Sequence, residues 1–149
     1  MRLADENENR GYIDPMLRSG LMLAGGNRAW MGDSIPNAIE DGILTAKEIS
    51  HLDLRGTELV VLSACETGLG DVSSEGVFGL QRAFKQAGAQ TIIMSLWNVK
   101  DEATKYLMTN FYSYLMQGMS KREAFIQARN KCRDQFPDPE AWAAFIMLD

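Results

Sequence analysis

The chain has 149 residues, 46% of them hydrophobic, which is enough for one domain with a real core and excludes a disordered chain. The net charge of −5, with no Lys/Arg cluster, argues against a nucleic-acid surface, and no apolar run approaches the roughly 18 residues of a membrane span. Two cysteines make no disulfide framework, and the acidic, polar start MRLADENENR is unlike a signal peptide, so a reducing, cytoplasmic location is expected.

Residues 1–42 show little periodicity and are expected to be an irregular segment ahead of an α/β core over 43–149. Within them MLRSGLMLA (16–24) offers a short extended stretch, and Gly25 to Asp41 reads as a long loop. Thr45-Ala46-Lys47-Glu48 has capping-box spacing and predicts a short helix ending near His51. Leu59 to Leu62, an apolar β-branched run, predicts a buried strand that stops abruptly in Ser63-Ala64-Cys65-Glu66-Thr67-Gly68. Ser73-Ser74-Glu75 can then open a helix to Ala87, with Val77, Leu80, Phe84 and Ala87 on one face and Gly88 after its end. Thr91 to Leu96 is a second strand. Asp101 is expected to cap a helix to Gln117, with Ala103, Leu107, Phe111 and Tyr114 inward. Ser120 to Glu123 is a second capping box, and its helix runs to about Cys132 with that thiol on the apolar face. Pro137 and Pro139 break the chain, and Ala143 to Leu148 is a last strand. The order strand, helix, strand, two helices, strand gives an α/β fold with a parallel pair at its centre.

Cys65 is the chemically informative residue. A parallel strand that ends at a thiol and opens into a glycine-bearing loop puts that thiol at the carboxyl end of a sheet, where sites in open α/β sheets form. The amino end of the following helix would lower its pKa and favour the thiolate. The competing reading is a small buried hydrophobe, a common fate of free cysteines.

The segment from Gly56 to Thr104 resembles the CHAT domain, a caspase-like (clan CD) cysteine peptidase family. SACETG around Cys65, EGVFGLQRAF from Glu75 and SLWNVKDEAT from Ser95 carry the resemblance, with RSGLMLAGGNR from Arg18, EDGILTAKEI from Glu40 and WAAFIMLD from Trp142 in support. It covers about residues 10–149. The resemblance implies a caspase-like three-layer α/β/α fold with a mostly parallel sheet, here a single partial domain over 1–149. It also implies that Cys65 is the nucleophile and that its backbone N–H contributes to an oxyanion hole. Ser63, two before the cysteine, would shape the pocket for the substrate's P1 side chain. Short and neutral, it weakens any claim of cleavage after Arg or Lys. Glu66 and the loop bearing Ser95, Trp97 and Asp101 would complete that pocket. Trp97 could equally be a core anchor. No cofactor or metal is expected.

The family pairs its cysteine with a histidine, usually in an apolar strand ending in His-Gly. The only histidine here, His51, precedes the strand that leads to Cys65. Its place is therefore near the opposite end of the sheet, roughly 17–20 Å away. Two readings follow. The first is the C-terminal, nucleophile-bearing part of a caspase-like endopeptidase whose histidine lies outside this chain, inactive alone. The second is a non-catalytic, peptidase-like interaction module. A redox-sensing thiol is a weaker third, since no resolving cysteine lies nearby. The expected partners are a protein or peptide substrate, and the missing N-terminal half or a sensor or helical-repeat domain. The few strands point to an open sheet edge, with a homodimer, a domain-swapped assembly or dependence on the missing N-terminal part as the expected outcomes.

Overall fold

A computed structural model gives the architecture and describes residues 15–17, 19–24, 26, 41–63 and 74–149. A short 3₁₀ turn at Pro15–Leu17 leads to strand β1 (Gly20–Met22), which pairs antiparallel with β2 (Ile43–Thr45). Helix α1 (Ala46–Ile49) follows, then β3 (Leu59–Leu62), α2 (Ser74–Ala87), β4 (Thr91–Ser95), α3 (Asp101–Met116), α4 (Lys121–Gln135), α5 (Pro139–Trp142) and β5 (Phe145–Leu148). The fold is mixed α/β.

The principal sheet has the order β3-β4-β5. β3 and β4 are parallel, with Leu59 opposite Thr91 and Leu62 opposite Met94, as expected for two continuous apolar runs joined through a helix. β5 returns antiparallel on the other side of β4, with Ser95 opposite Phe145. Among the described residues the two sheets thus hold one parallel pair and two antiparallel pairs.

All five residues of β4 are buried, and its alternation divides the core. Ile92 and Met94 join Leu80, Ala83 and Phe84 of α2, Ala46 and Ile49 of α1, and Leu62 of β3. Ile93 joins Leu107 and Phe111 of α3, Phe125 and Cys132 of α4, and Phe145 of β5. β5 obeys the same period, with Ile146 and Leu148 against the first cluster and Met147 against the second. Each fully buried Ile, Leu or Phe contributes about 1.5–3 kcal/mol by leaving water. The Phe111 and Phe125 rings meet edge to face, with centroids 6.4 Å apart, and lock α3 to α4.

Local chemistry accounts for the helix ends. Both capping boxes form: the Thr45 and Ser120 hydroxyls accept from the amides of Glu48 and Glu123, whose carboxylates accept in return from the Thr45 and Ser120 amides. Gly88 ends α2 at φ +104°, and a Cβ there would stand 3.0 Å from the Arg55 backbone nitrogen, so both conformation and space require glycine.

Three expectations need correction. Lys100, with no capping side-chain bond, is the N-cap of α3. Asp101 is its first helical residue and acts on the helix dipole instead. The stretch after Pro137 is more than a break, because Asp138 accepts from the Glu140 amide and Pro139 occupies the first turn of α5. Ile43–Thr45, three residues long, is a strand that periodicity did not reveal. The extended stretch within residues 16–24 is β1, while most of the expected loop from Gly25 to Asp41 lies outside the described residues.

Candidate functional site

Because β3 and β4 run parallel in register, their carboxyl ends lie side by side. One further step in that register sets Ser63 beside Ser95. Ser63 is exposed and leads into the segment that carries Cys65 and Glu66, both outside the described residues. α2 begins on the far side of that segment, at Ser74.

Ser95 is 6% exposed, and its hydroxyl has no hydrogen-bond partner among the described residues. An unmet buried hydroxyl costs about 1–3 kcal/mol. That makes Ser95 Oγ an available donor or acceptor at the end of the central strand. Leu96 then donates its amide to the Ala144 carbonyl, which fixes the direction of the outgoing loop. Trp97 is half-exposed and is not a core anchor: its indole N–H donates to the Glu140 carbonyl at 3.0 Å, joining the loop after β4 to α5. Asp101 is exposed in the first turn of α3, after buried Val99. Ser95, the last residue of β4, and Trp97 and Asp101 beyond it thus lie along one connection that leaves the sheet next to the end of β3.

His51 lies elsewhere. It follows α1, is exposed, and its ring donates from Nδ1 to the Lys47 carbonyl at 2.7 Å. The chain after it is tied to the amino-terminal end of the sheet. Leu54 donates to the Ala87 carbonyl at the end of α2, and the amides of Gln90 and Thr91 donate to the carbonyls of Thr57 and Glu58. β3 itself spans about 13 Å from that end to Ser63. The geometry therefore matches the expectation that His51 and the carboxyl end of β3 are on opposite sides.

Cys132 is fully buried in the α3–α4 core, with its sulfur 3.9 Å from the Ala103 carbonyl. Burial pushes its thiol pKa up, which suppresses the thiolate and makes it an inert packing residue. No described helix is long and apolar enough to cross a membrane.

Two features escaped the sequence reading. The Glu140 carbonyl that holds Trp97 is 43 residues away, and main-chain acceptors leave no trace in residue identity. The Asp138-Pro139 pair, an N-cap followed by proline at the first helical position, was a usable signal for α5.

Comparison with known proteins supplies the remaining context. The family model for the CHAT domain matches residues 10–149. Tetratricopeptide repeat protein 28 of Homo sapiens is 34% identical over 121 residues, which cover 78% of this chain and 5% of that protein. The protein of the same name from Mus musculus is 36% identical over 109 residues, covering 71% of this chain and 4% of its own length. The chain therefore spans about one-twentieth of the length of these relatives.

Proposed function

We propose that this chain, which belongs to the CHAT domain family, is the nucleophile-bearing part of a caspase-like cysteine endopeptidase, with Cys65 as the attacking thiol. The observation that carries this reading is the parallel pairing of β3 with β4. It brings Ser63, two residues before Cys65 in sequence, and the start of the Ser95–Asp101 connection out at the same end of the sheet, which supports the reading. The two clusters on opposite faces of β4 support a three-layer α/β/α arrangement, and we read residues 1–149 as one partial domain. Ser63 and Ser95 would give the substrate pocket a neutral, hydroxyl-bearing floor, with Trp97 and Asp101 at its wall and Glu66 beside the nucleophile.

In the proposed chemistry the Cys65 thiolate adds to a peptide carbonyl, and the oxyanion takes hydrogen bonds from backbone amides. The leaving amine needs a proton that His51, at the other end of β3, cannot deliver. Without it the adduct reverts to thiolate and peptide, so the isolated chain should neither be acylated by peptides nor turn them over, and only a substrate whose leaving group departs without a proton should acylate it. A peptide library should show no cleavage above a Cys65→Ala control. p-Nitrophenyl acetate, whose leaving group needs no proton, should give a burst that Cys65→Ala abolishes, and added imidazole should speed the turnover that follows. Peptide cleavage that His51→Ala removes would refute the assignment of ends.

The second reading is a peptidase-like interaction module. The lone histidine bonded away from the site favours it, as does the likeness to proteins named for tetratricopeptide repeats, a helical-repeat partner being the natural complement. Absence of the ester burst, with Cys65 no more reactive than free cysteine, would establish it over the first.

A further inference from the structure

A groove of about 500 Å³ lies between the start of α3 and the turn from α4 into α5. Its floor is apolar: Val99 and Ala103, both buried, with Phe136, Pro137 and Ala141. It runs on into a second hollow of about 330 Å³ that shares Glu102, Gln135 and Phe136 with the first and reaches Tyr106 and Asn110. The Tyr106 and Phe136 rings, edge to face at 5.7 Å, form the saddle between them. Two hollows in a row suit an extended chain, one side chain seated in the first and its neighbour's stem lying along the second, better than one compact molecule.

Charge selects the kind of chain. The two hollows together are rimmed by three carboxylates, Glu102, Asp138 and Glu140, against two ammoniums, Lys100 at the first and Lys105 at the second, so the acidic excess lies at the first. None of these five forms an ion pair among the described residues. The amino end of α3 would by itself attract an anion, but Asp101 and Glu102 already occupy its first turn. We propose that this groove docks an extended peptide segment in which basic residues flank an apolar anchor: the anchor fills the hollow over Val99 and Ala103, and the cations meet the acidic rim.

The groove also touches the loop after β4. Glu140, on the rim, holds the Trp97 indole through its carbonyl. A docked segment therefore bears on Trp97, and this coupling, unlike the docking itself, rests on the reading of that loop as a substrate-pocket wall.

The test is a titration of the isotope-labelled chain, followed by amide and indole NMR signals. The probes are acetyl-Arg-Lys-Leu-Arg-Lys-amide and its acidic counterpart acetyl-Glu-Asp-Leu-Glu-Asp-amide. The basic probe should shift the amides of Asn98, Glu102 and Ala141 and the Trp97 indole, and the acidic probe should not. Replacing two rim charges together, Glu102→Gln with Glu140→Gln, should weaken binding about tenfold, and raising the salt should weaken it for the unaltered chain. Shifts elsewhere, equal shifts from both probes, or a salt-independent affinity would overturn the proposal, even if the double variant failed to fold. Cys65→Ala should bind as the parent does, so failure of the peptidase reading leaves this result standing.

Discussion

Iodoacetamide should discriminate between the two thiols by about three orders of magnitude or more. Cys132 is fully buried among Ala103, Leu107 and Phe111, and its raised pKa leaves little thiolate in the native state. Alkylation there must wait for the α3–α4 core to open. A domain stability of about 5 kcal/mol, the low end of the usual range, gives an open fraction near 10⁻³·⁷ at about 1.4 kcal/mol per decade. Even if the open state reacts as fast as free cysteine, Cys132 is slowed roughly 5,000-fold. Cys65, read as the thiol at a strand end beside a helix amino terminus, has no such delay and should match or exceed free cysteine. Intact-mass time courses on Cys65→Ala and Cys132→Ala variants isolate each rate without proteolysis. Rates within tenfold of each other, in protein that still melts cooperatively, would refute the placement of Cys65 at an accessible site.

Phe111→Ala empties the contact between α3, α4 and the sheet and should cost about 3–5 kcal/mol, seen as a fall in Tm of roughly 10 °C or more. Ser120→Ala removes the cap of α4 and should cost about 1 kcal/mol in urea denaturation. The bonds from the Ser120 hydroxyl and amide hold the Glu123 carboxyl below its usual pKa. The stability they give is therefore present above the ordinary glutamate value and lost as pH falls through the lowered folded value. The variant should accordingly show a flatter decline below about pH 4.5. Among the described residues β3 and β5 each pair on one side only, so light scattering at micromolar concentration should show association through an open edge. A stable monomer with a cooperative melt would contradict that.

The elements that sequence revealed are those whose cause is local. β3 is an unbroken apolar run and β4 a nearly unbroken one, and the boxes at Thr45 and Ser120 are fixed by residues three apart. β2 was hidden because three residues cannot display a period of two, and its strand character comes from its pairing with Gly20–Met22. α5 was hidden because proline both breaks and starts helices, and only the preceding Asp138 tells which. At the candidate site the same division holds. Strand order placed Ser63 and Ser95 at one end and His51 at the other. The partner of Trp97 could not be foreseen, since it is a main-chain carbonyl brought near by the return of the chain through α5 and β5.

If Cys65 is the nucleophile, as proposed, the register of the sheet also constrains where its base could come from. Ser95 and its loop occupy the β4 side of the Ser63 end, so a histidine cannot enter there without displacing them. The outer side of β3 carries no strand among the described residues. A strand added there parallel to β3 would end within about 5 Å of Ser63, the ordinary spacing of neighbouring strands. One added antiparallel would begin there. In either case its terminal residue would lie within side-chain reach of Ser63. On the proposed peptidase reading, a strand that completed the sheet at this edge could therefore also carry the general base, so that one addition would both remove the expected association and restore peptide cleavage.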